Sequence, residues 1–303
     1  EDLLYLGPWA YTSEALEFFG MCSCMKGGIV FADEVTTVSP TYAKELSLPF
    51  YAHGMDGVIN EQSHKIQGIL NGIDTELYNP AVNPELVANF TPDAVDEGKA
   101  ACKLALQRAV GLEENPNVPI IACVSRLVGH KGFAMVADAL HEIMDLDVQM
   151  VVLGTGEWQY EEAFRNAAAQ YPGRFSAQLA YSAPLSTMIY AGADIFLMPS
   201  VSEPCGLSQM IAMRYGTVPV VHATGGLKDT VPPVDEQGEN GLGFTFQSYN
   251  GDDFMAAVKR CLDLYHYQPE KFRALQYRGM TQDFSWNVPA GRYMDLFNRM
   301  LTM

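Results

Sequence analysis

Short β-branched, apolar runs alternate with longer amphipathic stretches from Val118 to Tyr265, and this alternation constrains the fold more than any other feature. Short strands followed by longer helical patterns are typical of βαβ units around a parallel sheet. The sequence therefore predicts an α/β fold. In open sheets of this kind ligands bind at the carboxyl ends of the strands, so functional residues are expected at the strand-to-helix junctions.

The same periodicity predicts where the elements lie. A helix over 94–110 would take Asp93 as its N-cap, and a helix over 254–265 would be capped by Asp252-Asp253, which we prefer to a metal-binding interpretation of that pair. The last stretch, 269–303, is expected to be largely helical, with Trp286 and Phe297 in the core. Further strands are predicted at 34–38, 65–70, 119–124, 148–153, 175–179, 195–198 and 218–221, and further helices at 132–144, 158–170, 184–191 and 206–215.

Composition excludes some classes of partner. Hydrophobic residues make up 48% of the chain and charged residues 18%, which allows a sizeable core. With 36 acidic and 19 basic residues the net charge is −17, so no large basic excess is available for nucleic acid or an anionic membrane. No apolar run reaches the roughly 18 residues that a membrane span requires.

The cysteines predict neither a disulfide framework nor a zinc site, because their spacings match no such pattern. Cys22 and Cys24 form a Cys-x-Cys pair, but no second ligand pair follows, so we interpret them as small apolar residues. Reduced thiols and the absence of a visible signal peptide fit a cytoplasmic location. These cysteines are therefore not expected to bind a metal.

The first junction that could carry chemistry is 125–132, directly after a predicted strand and at the start of a helix. Arg126 and Lys131 could both reach the crevice above the sheet. Two cations beside a helix N-terminus suit a diphosphate, since Arg offers a planar fork and Lys a point charge. The alternative is a solvated loop with two surface cations.

Two more junctions follow predicted strands in the same domain. Glu203 could accept hydrogen bonds from sugar hydroxyls, or it could simply complement the helix N-terminus beside it. Cys205 is interpreted as a packing residue rather than a nucleophile, because no His lies in local register with it. The glycines Gly225 and Gly226 would let backbone N–H groups approach an anion, although such glycines also serve ordinary turns. All three junctions could converge on one crevice.

Taken together, these motifs identify a family. Ser125-Arg126-Leu127 with Lys131-Gly132, then Glu203-Pro204-Cys205-Gly206-Leu207, then Thr224-Gly225-Gly226-Leu227, resemble the glycogen synthase/starch synthase family of retaining glucosyltransferases. The resemblance covers essentially the whole chain. It extends to Val38-Ser39-Pro40-Thr41-Tyr42-Ala43, Gly68-Ile69-Leu70-Asn71-Gly72-Ile73-Asp74, Met213-Arg214-Tyr215-Gly216-Thr217 and Asp283-Phe284-Ser285-Trp286.

The resemblance implies an α/β fold of the GT-B type, in which two Rossmann-like domains face each other. Residues 1–115 would be the end of the N-terminal, acceptor domain with a linker, and 116–280 a complete nucleotide-sugar-binding domain. Residues 281–303 would form a helix that crosses back to the N-terminal domain. The implied reaction transfers glucose from ADP-glucose to the non-reducing end of an α-1,4-glucan, with retention and without a cofactor.

The resemblance also implies roles for individual residues. Arg126 and Lys131 would hold the donor diphosphate, and Glu203 would face the transferred glucose. Tyr181 lies where the family often places an aromatic side chain near the nucleoside, so stacking is expected there; otherwise it is an ordinary strand-end aromatic. The other expected substrate-binding residues are Cys205, Gly206, Leu207, Thr224 and, through their N–H groups, Gly225, Gly226 and Leu227.

The sequence departs from the family pattern in several places. His130 stands where the family usually has Gln, Val201-Ser202 where it has Arg-Phe, and Met21-Cys22-Ser23-Cys24 follows the Leu16-to-Gly20 motif in place of Gln and an apolar run. The family's N-terminal Lys-Thr-Gly-Gly-Leu loop is missing, and the chain opens at Glu1 without Met. We therefore expect a fragment that binds ADP or ADP-glucose but is inactive alone, with an apolar face exposed.

Two alternatives remain open. Another GT-B glucosyltransferase, such as sucrose or trehalose-phosphate synthase, is disfavoured by the Glu-Pro-Cys-Gly-Leu motif and would differ in its preference between ADP-glucose and UDP-glucose. A non-catalytic module that binds a nucleotide sugar or a glucan could retain Arg126, Lys131 and Glu203 for binding alone.

Overall fold

The structure is a computed structural model that describes residues 6–302. Internal contacts divide the chain into two units, one reaching to Asn71 and resuming at Asn287, the other spanning Gly72–Trp286. This division falls well before the predicted boundary at residue 115. The reason is that the helix Val95–Val110 packs against the helix Ala183–Gly192 within the second unit. The C-terminal residues from Asn287 group with the first unit.

The first unit is built from short elements. Two parallel strands lie where the sequence predicted them, while a two-residue hairpin was missed because its turn needs positive φ at Phe19 and Gly20. In chain order the elements are β1 (Glu17–Phe18), β2 (Met21–Cys22), α1 (Cys24–Phe31), β3 (Val35–Thr37), α2 (Pro40–Glu45), α3 (Pro49–Ala52), α4 (Asp56–Glu61) and β4 (Ile66–Gly68).

Large apolar side chains are exposed in this unit, as the sequence predicted. Trp9 and Phe31 meet edge to face with ring centroids 6.5 Å apart, yet both remain more than half exposed. Phe19 and Phe50 are also exposed. The small core of the unit gathers Ala52, Met55 and Ile59 instead, because a two-stranded sheet offers little surface to cover more.

The second unit contains a six-stranded parallel sheet in the order β10-β9-β8-β5-β6-β7, which confirms the α/β fold class. Its central strands are buried on both faces, as continuous apolar runs require. The strands are β5 (Ile120–Val124), β6 (Gln149–Leu153), β7 (Phe175–Gln178), β8 (Ile195–Met198), β9 (Val218–His222) and β10 (Phe244–Phe246).

Helices cover this sheet close to the predicted positions, except that the predicted helix 132–144 is divided at Ala139. After a 3₁₀ turn at Pro92–Ala94, they are α5 (Val95–Val110), α6 (Phe133–Asp138), α7 (Leu140–Met144), α8 (Trp158–Gln170), α9 (Ala183–Gly192), α10 (Ser208–Arg214), α11 (Gly225–Thr230), α12 (Gly251–Tyr267) and α13 (Pro269–Thr281), and α14 (Asn287–Met300) follows in the first unit.

Three local predictions were wrong. Asp93 lies inside the 3₁₀ turn ahead of α5, and the N-cap of α5 is Ala94, which has no side-chain cap hydrogen bond. The cap of α12 is Asn250, whose Oδ1 accepts the Asp253 N–H at 2.8 Å, so the aspartates lie in the first turn. Trp286 and Phe297 are 45% and 51% exposed rather than core anchors.

The strand order places a topological switch point between β5 and β8. The chain runs outward through β5, β6 and β7, then returns to the opposite side of β5 with β8 and continues through β9 and β10. Loops after β5 and β8 therefore leave the sheet in opposite directions and open a crevice between them. The first two predicted junctions are the loops that flank this crevice.

Candidate active site

An ion pair joins the two loops of the switch point. The Lys131 ammonium lies 2.6 Å from Oε2 of Glu203, and both side chains are largely buried. Ser200 donates its hydroxyl to the same oxygen at 3.1 Å, which orients the carboxylate. The predicted meeting of a cation and a carboxylate from distant motifs is confirmed.

Glycine at position 132 lets the two loops approach each other. Gly132 has φ +82°, and a Cβ added there would lie 1.9 Å from the carbonyl oxygen of Pro199. The neighbouring His130 carbonyl accepts the Val201 N–H at 2.9 Å. Only glycine fits this close backbone contact, which sets the position of Lys131 against the β8–α10 loop.

The third junction packs directly on the second. The Gly226 N–H donates to the carbonyl oxygen of Glu203 at 3.0 Å, and a Cβ at Gly226 would lie 2.2 Å from the Cys205 carbonyl oxygen. The convergence of all three junctions is therefore confirmed. Two of the N–H groups expected to contact the substrate are used within the protein, because that of Gly226 holds the loop and that of Leu227 donates to Thr224. Contact of these N–H groups with a substrate stays a prediction.

Arg126 is exposed and belongs to the same loop as Lys131, but it does not line the pocket beside the ion pair. Within residues 6–302, its guanidinium has no hydrogen bond or ion pair, so it is available to a ligand. It lies within electrostatic reach of the His130 ring, as do Lys131, Glu203 and Glu157. Partial burial and the two cations lower the pKa of His130 below its ordinary value, and the two carboxylates oppose this.

A small pocket of about 90 Å³ opens beside the ion pair. Cys205 is buried next to it, whereas Leu207 is 44% exposed. Tyr181, after β7, is 93% exposed and not packed in the core, so nucleoside stacking there stays a prediction. The polar and glycine residues that line the pocket are Ser125, Lys131, Ser200, Glu203, Gly206 and Ser208.

Sequence reasoning missed the loop after β6, which supports the Arg126 loop. Cβ atoms at Gly154 and Gly156 would lie 1.8 and 2.2 Å from the carbonyl oxygens of Ser125 and Leu127. Glu157 accepts the Gly129 N–H at 3.0 Å. The signal was present in the sequence, since Gly-Thr-Gly directly follows a predicted strand.

His222 was missed as well. It ends β9 and is buried. Its Nδ1 lies 2.8 Å from the Ser200 carbonyl oxygen, and because a carbonyl only accepts, Nδ1 carries a proton. Its ring stacks on Phe246 with centroids 5.2 Å apart. The predicted strand stopped one residue earlier, at Val221, and the fixed ring holds the residue that orients Glu203.

The arrangement suits an anionic ligand with hydroxyl groups. A free guanidinium and an ammonium can offset phosphate charge, and the carboxylate can accept hydrogen bonds from a sugar. In the part of the chain that the structure describes, no group of three or more His, Cys, Asp or Glu side chains is placed to share a metal ion. Over the same residues, no helix is long and apolar enough to cross a membrane.

Comparison with known proteins decides the family. The family model described as glycosyl transferases group 1 matches residues 108–278, more than half of the chain and the whole candidate site. The chain belongs to this family. A second family model, the starch synthase catalytic domain, matches residues 2–61 of this glycosyl transferase.

This group 1 glycosyl transferase is similar to glycogen synthases from Desulforamulus reducens and Geobacillus thermodenitrificans, with 44% and 45% identity over 301 residues. The alignments cover 99% of this chain but only 62% of each relative, so the chain spans less than two thirds of their length. The resemblance stated from the sequence motifs is confirmed.

Solved structures agree. The catalytic domain of starch synthase IV from Arabidopsis thaliana, bound to ADP and acarbose, matches with a TM-score of 0.92 and 35% identity, over 99% of this chain and 63% of that one. Sucrose-phosphate synthase from Thermosynechococcus elongatus matches with a TM-score of 0.61 at 21% identity, over 92% and 61%, and shows the fold alone. The GT-B fold class is confirmed.

Proposed function

We propose that this glycosyl transferase binds ADP-glucose and transfers its glucose, with retention, to the non-reducing end of an α-1,4-glucan. The observation that carries the proposal is the Lys131–Glu203 ion pair at the switch point, with the exposed Arg126 on the same loop as Lys131. Similarity to glycogen synthases, and to a starch synthase bound to ADP and acarbose, supports the choice of donor and acceptor.

Arg126 and Lys131 hold the diphosphate in this proposal. As the bond to glucose breaks, negative charge grows on the departing ADP, and fixed cations stabilise it without reorganisation. Lys131 is shared between Glu203 and the nearest phosphate oxygen, because an ammonium has three donors. No metal and no cofactor takes part.

Glu203 orients the transferred sugar. Its Oε2 accepts from Lys131 and Ser200, which fixes the carboxylate, and Oε1 would accept from the sugar. Cys205, Gly206 and Leu207 line the sugar site, and the Thr224–Leu227 segment closes it. Tyr181 stacks on the nucleoside, for which its full exposure leaves the ring face open.

In this proposal, donor binding and turnover need different parts of the family's fold. The chain covers 62% of its relatives, and the Lys-Thr-Gly-Gly-Leu loop of the family is not in this sequence. We place donor binding in this chain and expect little or no turnover from the chain alone. The reaction is assigned to the cytoplasm, in keeping with six cysteines free of disulfide bonds.

Calorimetric titration of the chain with ADP-glucose and with UDP-glucose tests the proposal. ADP-glucose should bind more tightly, and Lys131→Met should weaken it by about tenfold to a hundredfold, as expected for a charge-assisted contact. Lys259→Met is the matched control, because Lys259 pairs with Glu142 at an exposed site on α12. A preference for UDP-glucose, or equal loss in both variants, would refute the proposal.

Transfer is measured separately, as labelled glucose incorporated into glycogen. The chain alone should give a rate near background even where ADP-glucose binds. Binding without transfer by a longer protein that includes the missing family loop would favour the non-catalytic binding module instead.

A further inference from the structure

His130 lies in the centre of the turn that presents Lys131. Its backbone is fixed, since its carbonyl accepts the Val201 N–H at 2.9 Å, while its ring is exposed. An exposed, titratable ring therefore stands next to Lys131 on a rigid turn.

Charged groups from three loops lie within electrostatic reach of the ring. Arg126 and Lys131 belong to its own loop, Glu157 to the loop after β6, and Glu203 to the loop after β8. One further titratable ring, His222 at the end of β9, is tied to the neighbouring Ser200. Partial burial first, and then the two cations, lower the pKa of His130 below its ordinary value.

We infer that His130 is a third cationic ligand of the donor diphosphate and that donor binding is coupled to uptake of one proton by its imidazole. The inference rests on the proposed function, because it takes Arg126 and Lys131 to hold the diphosphate. The two negative charges of the diphosphate offset the two cations that disfavour the imidazolium. The proton comes from solvent, the charged ring donates an N–H to a phosphate oxygen, and no bond of the donor breaks.

Coupled proton uptake makes the affinity for the donor depend on pH. Linkage requires that a ligand which raises the pKa of a group binds more tightly where that group is protonated. Each unit by which the pKa rises corresponds to about a tenfold gain in affinity at low pH. Glutamine can donate a hydrogen bond at the same place, but it takes up no proton and makes binding independent of pH.

Calorimetric titration of the chain with ADP-glucose, between pH 6 and 8 and in two buffers of different ionisation enthalpy, measures the protons taken up. Both phosphates of ADP-glucose are esterified, so the ligand lacks the second ionisation near pH 6 of a phosphate monoester. The chain should take up a substantial fraction of a proton near pH 7. Its affinity should be about five- to tenfold higher at pH 6 than at pH 8.

The variants His130→Gln and His130→Asn should bind ADP-glucose without proton uptake and with nearly the same affinity at both pH values. His266→Gln, an exposed histidine on α12 away from the site, should behave like the unmodified chain. Equal proton uptake with and without His130, or no uptake by the unmodified chain, would overturn the inference. Absence of any ADP-glucose binding at every pH would instead overturn the proposed function on which it rests.

Discussion

The Lys131 ammonium lies 2.6 Å from the Glu203 carboxylate. If Lys131 is shared with a diphosphate, the Glu203 carboxylate offsets part of the positive charge that the ammonium offers to the phosphate. Glu203→Gln should keep the shape of the site while releasing Lys131, so affinity for ADP should stay equal or rise by about threefold to tenfold. The affinity for ADP-glucose should rise less, because the sugar exchanges a charged carboxylate acceptor for a neutral amide oxygen.

Calorimetry with both ligands measures this difference. Ser200→Ala is a useful companion, because it removes the second hydrogen bond to Glu203 but leaves the charge in place. If Glu203→Gln weakened ADP and ADP-glucose by the same factor, the carboxylate would be supporting the loop rather than facing the sugar.

Gly132→Ala should separate the two loops of the site. The new Cβ would lie 1.9 Å from the Pro199 carbonyl oxygen, and φ +82° is unfavourable for alanine. We expect a loss of about 2 kcal/mol or more in the free energy of unfolding, measured with urea, together with loss of ADP binding. Gly129→Ala in the same turn is the control, since its nearest neighbour is 3.5 Å away. Similar losses in both variants would contradict this account.

Tyr181→Ala tests the predicted stacking on the nucleoside. The ring is 93% exposed, so its removal should leave stability unchanged while ADP binds about fivefold to a hundredfold more weakly, as one lost stacking contact predicts. Tyr267→Ala, at a 79% exposed tyrosine on α12, should change neither property. Unchanged ADP affinity in Tyr181→Ala would make it an ordinary strand-end aromatic.

The buried side chain of Lys99 should make the stability of the protein depend on pH. Its ammonium donates to the Tyr215 carbonyl at 3.0 Å and to Thr217 Oγ1 at 2.8 Å, and burial lowers its pKa to about 7. Between that pH and the ordinary value of 10.5 the unfolded chain binds a proton that the folded chain does not. Stability from this group therefore increases as pH rises through that window, by at most about 1.4 kcal/mol per pH unit.

The measurement is the difference in urea unfolding free energy between the unmodified chain and Lys99→Met, from pH 7 to 8.5. The variant removes the titrating group, although it also lowers stability by leaving carbonyl groups unpaired. The upper limit of pH 8.5 avoids the titration of buried thiols, whose effect on stability with rising pH has the opposite sign. Burial raises the pKa of the Cys123 thiol, for example, to about 12. A difference that is flat or falls with pH would show that the hydrogen bonds keep Lys99 protonated.

Much of the fold could be predicted from the sequence because the signals are local. Apolar runs such as Ile120–Val124 are long enough to mark a buried strand by themselves. The three-residue strand Phe244–Phe246 carries no such signal, and it forms because β9 offers a parallel edge. The cap of α12 was predicted wrongly for a similar reason, since Asn250 and Asp252 are both good cap residues and only the path of the chain selects one.

The candidate site divides in the same way. The motifs around Arg126, Lys131 and Glu203 were visible because they follow predicted strands, and their convergence follows from the rule for parallel sheets. Glu157 and His222 were missed because they act through backbone groups of other loops. The exposure of Trp286 and Phe297 could not be predicted either, because an aromatic residue in the sequence does not show whether another element covers it.

The sequence by itself determined the alternation of strands and helices, the family and the cations and carboxylate of the site. The tertiary structure alone decided that Lys131 is paired with Glu203, and that the Gly226 N–H is used to hold a loop. The physical reason is that periodicity and turn chemistry act between near neighbours in the chain. Ion pairs and hydrogen bonds between distant loops depend on distances that only the packed sheet sets.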